Sequence, residues 1–152
     1  MIRNILVAIS LLTLLALGAC EVDREPIPEN RIVSEEGLII DLEWTTGGSS
    51  AQAWEEADLD LFITTGIDEV DISTSAEFEQ VYIENFYRDG SYIVTVEYFD
   101  GIAPVDFSLF FRGPSGSKNV VVESSFSVNE VGSVIDIVEI VKSGTTYSIN
   151  PL

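Results

Sequence analysis

Histidine is absent from this chain, cysteine occurs once, and basic residues are scarce, with 7 Lys and Arg against 26 Asp and Glu. Without histidine, neither a Ser-His-Asp triad nor a Cys-His pair can be assembled from this sequence. Zinc sites built from histidine and cysteine are excluded for the same reason. A single cysteine also excludes a disulfide within the chain, so stability must come from apolar burial and strand pairing.

The scarcity of basic residues leaves a formal net charge of −19. Nucleic acid and anionic lipid surfaces are polyanions and are repelled by a chain of this charge. We therefore expect no nucleic-acid partner. Cations and basic protein surfaces are the partners that electrostatics favours.

One long apolar run is present, close to the N-terminus. It follows the basic residue Arg3 and extends over 13 residues, from Ile5 to Leu17. A membrane-spanning helix needs about 20 apolar residues, whereas the apolar region of a signal peptide has roughly 7–15. The run therefore predicts a signal peptide, and the small residues Gly18 and Ala19 suit its cleavage site.

The residues Leu17-Gly18-Ala19-Cys20 resemble the lipobox of bacterial lipoproteins. The resemblance implies that residues 1–19 are removed and that acylated Cys20 inserts into a lipid bilayer of the cell envelope. Family members retained in the inner membrane often have aspartate where Glu21 stands, so the outer membrane is the expected location. Three alternatives stay open: a cytosolic protein with a buried N-terminal helix, plain secretion after cleavage at Ala19, and an uncleaved anchor.

Residues 20–36 predict an acidic tether between the lipid and the folded domain. Pro26 and Pro28 disfavour helix and favour extended backbone, and apolar residues are few in this stretch. The folded domain is expected to cover residues 37–152. The alternative is that Ile32 and Val33 already belong to the first strand.

From residue 37 onward, apolar and polar residues alternate with a period of two. The first run places Leu38, Ile40 and Leu42 on one face, in phase with Trp44, which is therefore predicted to lie in the core. About eight or nine such runs, separated by turn signals such as Asp-Gly pairs, predict an all-β fold. The expected architecture is a single antiparallel β-sandwich, jelly-roll-like.

Three of these runs together resemble the bacterial pre-peptidase C-terminal domain and related export-associated β-sandwiches. They are an apolar strand ending in an aromatic residue, an Asp-Leu-Asp-Leu strand and a Gly-Ser-Tyr strand, found at Gly37–Trp44, Ala57–Ile63 and Asp89–Tyr98. Ser91 replaces the threonine that the family usually has. The resemblance spans residues 37–111 and implies a jelly-roll-like accessory domain.

Asp58 and Asp60 lie two residues apart and therefore point to the same side of one predicted strand. Glu55 and Glu56 come just before them, and Asp41 and Glu43 lie on the polar face of another predicted strand. Carboxylate oxygens gathered in this way are typical ligands of Ca²⁺, which is the one cofactor that the sequence suggests. The alternative is a solvated acidic face, which a chain with 26 acidic residues is expected to have.

Trp54 lies outside any strand pattern, in the longest gap between runs, which also has room for one helical turn. An exposed aromatic side chain beside acids can stack on sugars or anchor a protein partner. Tyr82, Phe86, Tyr87 and Phe110 are predicted to extend such a ligand-binding platform. The alternative is that Trp54 folds back and caps an end of the core.

These features predict a membrane-anchored envelope lipoprotein that serves as a non-catalytic binding module for a glycan or protein ligand. The lipid anchor, the missing catalytic side chains and Trp54 motivate this hypothesis. Two alternatives belong to other classes. One is a structural subunit that docks onto a larger envelope or transport complex, and the other is a small hydrolase acting through Asp58 and Asp60.

Overall fold

The computed structural model describes residues 28–75 and 77–152. The predicted signal peptide, Cys20 and the first part of the tether lie outside these residues. The described chain forms ten strands: β1 (Arg31–Val33), β2 (Gly37–Thr45), β3 (Ala57–Thr65), β4 (Asp68–Ser73), β5 (Glu79–Glu84), β6 (Gly90–Gly101), β7 (Val105–Arg112), β8 (Asn119–Phe126), β9 (Val134–Ser143) and β10 (Thr146–Pro151). A short helix, α1 (Ser50–Glu56), joins β2 to β3, and a 3₁₀ turn (Val128–Glu130) precedes β9.

The strands form two antiparallel sheets. The larger sheet has six strands in the order β1-β10-β9-β6-β3-β4, and the smaller has four in the order β5-β2-β7-β8. Three hairpins, β3-β4, β7-β8 and β9-β10, stay within one sheet, and every other connection between the ten strands crosses to the opposite sheet. The prediction of an all-β antiparallel sandwich is confirmed.

The period of two in the sequence is what builds the core. In β7, Val105, Phe107, Leu109 and Phe111 are buried and the residues between them face outward. Inward residues of both sheets pack into one apolar cluster between them. Trp44 belongs to this cluster as predicted, and its indole Nε1 donates a hydrogen bond to the carbonyl oxygen of Ala57 at 3.1 Å.

The sandwich begins earlier than residue 37. The strand β1 pairs with β10, and Ile32 is buried against the core. The Lys118 ammonium fixes this start by donating to the carbonyl oxygens of Pro28 and Arg31 at 2.5 and 2.8 Å. Residues 31–33 of the expected tether are therefore a strand that covers the edge of β10. Three residues are too few to show a period of two in the sequence.

The longest gap between runs contains α1. Ser49 caps the helix by accepting a hydrogen bond from the backbone N–H of Gln52 at 3.3 Å. Ala53 is the buried residue of this helix, and the other six residues are exposed or partly exposed. The helix thus closes one end of the sandwich with little apolar surface of its own.

Candidate functional site

Trp54 is an exposed aromatic side chain, which is one of the two placements that the sequence left open. It stands on α1 with 40% of its surface exposed, while its neighbour Ala53 turns into the core. The helix precedes Ala57, the first residue of β3, so Trp54 marks one end of the sandwich. The residue of α1 that packs against the end of the core is Ala53, and not Trp54 as the alternative had it.

Phe86 and Tyr87 lie at the other end of β3. Their rings meet edge to face with centroids 5.0 Å apart, and Phe86 is 80% exposed while Tyr87 packs partly against the core. They line a groove of about 360 Å³ together with Thr65, the last residue of β3. The nine residues of β3 extend over roughly 26–30 Å, so the structure does not bring Trp54 and Phe86 together on one platform.

Tyr82 lies apart from both. It is on the outward face of β5, partly exposed, and its hydroxyl donates to the carbonyl oxygen of Glu36. Burial, followed by the charges of Glu84 and Glu36, raises the pKa of Tyr82. The hydrogen bond ties the segment before β2 to β5, which is a structural use of the hydroxyl group.

The acids predicted as calcium ligands divide between α1 and β3. Glu55 is exposed on the helix, and the Glu56 carboxylate accepts a hydrogen bond from Gln52 Nε2 at 2.8 Å, which lowers the pKa of Glu56. Asp58 and Asp60 follow on β3, and only 7% of Asp60 is exposed. Among the described residues, no group of three or more acids is arranged to hold a metal ion. Calcium binding stays a prediction.

A different carboxylate joins Asp58 and Asp60. Glu79, the first residue of β5, is fully buried, and its Oε1 accepts a hydrogen bond from the Ser75 backbone N–H at 2.7 Å. Among the described residues, neither Glu79 Oε2 nor Asp58 Oδ1 has a hydrogen-bond partner, and no ion pair reaches these three acids.

Electrostatics at these three carboxyls follows from their burial. Burial raises the pKa of Asp60 to about 6, and the charges of neighbouring acids, Asp58 first, add to the effect. Burial also raises the pKa of Asp58 and of Glu79. The three carboxyls therefore hold protons at a higher pH than exposed acids do.

The largest groove described lies elsewhere, on the outward face of the four-stranded sheet, and has a volume of about 560 Å³. Two rows of side chains cross it. In one row Ser108 of β7 stands between Glu43 of β2 and Glu123 of β8, and in the next row Asp106 stands between Thr45 and Ser125. We call these six residues the small-sheet groove. It presents three carboxylates and three hydroxyl groups to one ligand-sized space.

Two further rows continue this face beyond the groove. Asp41 is buried and receives hydrogen bonds from Arg112 Nε at 2.8 Å and from Gln80 Nε2 at 2.5 Å. Phe110 stands beside Asp41 in the register of β2 and β7, with its ring partly exposed. The Asp41–Arg112 pair therefore joins β2 to β7 next to a partly exposed aromatic ring.

None of the six residues of the small-sheet groove was predicted to bind a glycan or a protein, and Glu43 was named only among the acids that could hold Ca²⁺. Alternation alone indicates that Glu43, Asp106 and Glu123 point outward from their strands. What the sequence lacks is the pairing of β2 with β7, because four strands lie between them along the chain, whereas β7 and β8 form a hairpin. The signal in the sequence is that acidic and hydroxyl residues occupy outward positions on several predicted strands.

A scan of protein-family models, a search of curated proteins and a search of solved structures found no match to this chain. In the part of the chain that the structure describes, no helix has the length and apolar character needed to cross a membrane.

Proposed function

We propose that this protein is a non-catalytic binding module of the bacterial cell envelope that is anchored by acylated Cys20 and binds a glycan in the small-sheet groove. The observation that carries the proposal is the pairing register that sets Glu43, Ser108 and Glu123 in one row. Adjacent strands are about 4.8 Å apart, so the two glutamate Cα atoms are separated by roughly 10 Å. Serine and carboxylate oxygens in that row can engage several neighbouring hydroxyl groups of a sugar chain.

The chemistry of the groove selects the kind of glycan. A carboxylate is an acceptor only, and it therefore suits ligands that are rich in hydroxyl or amine donors. The net charge of −19 opposes sulfated or uronate-rich chains. Phe110, in the adjoining row, offers a ring face for stacking on a sugar. A neutral or amine-bearing glycan is the ligand class that fits.

The same groove supports binding better than hydrolysis. Glycosidases need one carboxyl group that stays protonated, which a buried, water-excluded setting provides. Glu43 and Glu123 are exposed on an open face, so water reaches both. Burial raises the pKa of Asp58 and of Asp60, but neither residue lines any of the four grooves described.

The test is a glycan array followed by calorimetry on the full chain, with neutral, amine-bearing and sulfated oligosaccharides. Glu43→Gln and Glu123→Gln are each expected to weaken binding of the best neutral or amine-bearing ligand at least tenfold. Glu69→Gln, an exposed acid on β4 of the other sheet, is the matched control and should bind as the wild type does.

Two results would contradict the proposal. One is binding that Glu43→Gln and Glu123→Gln leave unchanged while Trp54→Ala or Tyr87→Ala abolishes it, because the ligand would then sit at an end of the sandwich. The other is release of reducing ends that stops in Asp58→Asn or Asp60→Asn with the fold intact, which would establish the hydrolase instead.

A further inference from the structure

The end of the sandwich that carries Phe86 displays apolar surface that the core does not use. Phe86 is 80% exposed, and Ile67, at the tip of the turn between β3 and β4, is fully exposed. Next to Phe86, the groove of about 360 Å³ is lined by Thr65, Asp68, Glu69, Val70, Phe86, Tyr87, Arg88 and Tyr92. We call it the end groove. Clustered exposed apolar side chains are typical of interaction sites rather than of ordinary surface.

The loop that presents Phe86 is held in place at several points. The Tyr87 backbone N–H donates to the Glu84 carbonyl at 3.1 Å, and the Tyr92 hydroxyl donates to the Arg88 carbonyl at 2.6 Å. Asp89 Oδ1 accepts one hydrogen bond from the Gly144 backbone N–H at 2.8 Å and another from Lys142 Nζ at 3.3 Å. A loop whose backbone is already held in place loses little conformational freedom when a partner arrives, and this favours affinity.

Charge around the end groove is mainly negative. Asp68 and Glu69 line it, and both are exposed. Among the described residues, Arg88 is the cation that lines it. Arg88 Nη2 lies 3.7 Å from Asp68 Oδ2, and both side chains are about 70% exposed (69% and 71%), so solvent weakens this pair. An acidic rim of this kind repels the anionic surface of a lipid bilayer and attracts lysine and arginine.

The geometry points to the end groove as a docking site for a protein segment that carries an apolar or aromatic side chain flanked by Lys or Arg. The apolar side chain packs beside Phe86 and Tyr87, and the flanking cations meet Asp68 and Glu69. This site is separate from the small-sheet groove. Glu84, which leads into the Phe86 loop, pairs with Gly37 at the start of β2, whereas Glu43 and Thr45 lie at the end of that strand.

The test measures binding of fluorescein-labelled synthetic peptides to the full chain by anisotropy. The first peptide is Gly-Lys-Arg-Leu-Trp-Arg-Lys-Gly, the second has Glu at each cationic position, and the third has Ser in place of Leu and Trp. The first is expected to bind at least tenfold more tightly than the other two. Phe86→Ala should remove that advantage, and Phe86→Trp should restore it.

Two controls separate docking from general attraction to an acidic protein. Phe99→Ala changes a phenylalanine that is 58% exposed near the end of β6, far from Gly90 where that strand starts, and should leave binding unchanged. Asp68→Asn with Glu69→Gln should weaken binding several-fold and reduce its salt dependence. Glu43→Gln should have no effect, so failure of the glycan proposal and failure of this one remain distinguishable.

Three outcomes would overturn the inference. The first is equal binding of the cationic peptide to wild type and Phe86→Ala. The second is equal binding of the first and third peptides, which would reduce the effect to charge alone. The third is Phe86-dependent binding to phosphatidylcholine or phosphatidylglycerol vesicles without peptide binding, which would assign Phe86 to a membrane surface.

Discussion

Asp71 on β4 accepts a hydrogen bond from the backbone N–H of Tyr82 on β5 at 2.7 Å, and so joins the edges of two sheets that share no backbone ladder. A second bond repeats the pattern, because the Gln80 backbone N–H donates to Ser73 Oγ at 3.2 Å. Side chains of β4 therefore accept hydrogen bonds from backbone N–H groups at the free edge of β5, which could otherwise pair with a strand of another chain.

Replacing Asp71 by alanine should destabilise the sandwich by about 2 kcal/mol, because the Tyr82 N–H loses a charged acceptor. The free energy of unfolding from urea titration checks this value. Glu69→Ala, on the same strand and exposed, is the control and should stay within about 0.5 kcal/mol of the wild type. Equal losses in the two variants would mean that the Asp71 bond adds nothing to stability.

Three buried tyrosines differ in what their hydroxyl groups contact. The Tyr98 hydroxyl donates to the carbonyl of Ala103 at 2.5 Å and that of Tyr92 donates to Arg88 at 2.6 Å. The Tyr147 hydroxyl is buried and has no partner among the described residues, and burial raises the pKa of Tyr147 to about 12.

Tyr→Phe substitution should therefore have opposite effects at these positions. Tyr98→Phe and Tyr92→Phe should each cost about 1 kcal/mol, whereas Tyr147→Phe should be neutral or stabilise by up to about 1 kcal/mol, since it removes an unpaired polar group. Thermal unfolding followed by circular dichroism ranks the three variants. A loss at Tyr147 as large as that at Tyr98 would show that its hydroxyl is hydrogen-bonded in solution.

The raised pKa of Asp60 predicts how stability depends on pH. Below about pH 4 the carboxyl group is protonated in both the folded and the unfolded chain, and it contributes no difference. Between about pH 4 and about 6 the unfolded chain releases this proton first, so the free energy of unfolding falls as pH rises. Above about pH 6 the Asp60 carboxyl group is ionised in both states, and the folded protein bears the full, constant cost of a buried charge.

Asp60→Asn should remove that penalty, stabilising the protein at pH 7 by up to about 3 kcal/mol and flattening the pH profile between about 4 and 6. Urea titrations at several pH values measure both effects. Asp106→Asn, at an exposed position of β7, serves as the control and should follow the wild-type profile. A variant that loses stability at pH 7 would show that the Asp60 carboxylate is satisfied in the folded state.

The anchor is tested at Cys20. Mass spectrometry of the protein isolated from membranes should find a polypeptide that begins at Cys20 and carries acyl chains, because two or more chains are needed for stable attachment. Cys20→Ser should abolish this modification and move the protein out of the membrane fraction. A processed chain with an unmodified thiol, or full-length chain in the cytosol, would rule out the lipoprotein assignment.

The sequence by itself determined the all-β class, most strand positions and the buried place of Trp44, because a period of two records which face of each strand meets the core. It also predicted that Trp54 stands outside the strands. These are local properties, and local side-chain alternation encodes them.

Only the tertiary structure decided which residues share a surface. Trp54 and Phe86 lie at opposite ends of β3, and Glu79 of the other sheet lies close enough to Asp58 and Asp60 for their charges to interact. The small-sheet groove forms because β2 pairs with β7, a strand distant in sequence, while β8 joins it through the β7-β8 hairpin. Cross-strand register and sheet order depend on how the whole chain crosses between the sheets, and the alternation within one strand carries no information about them.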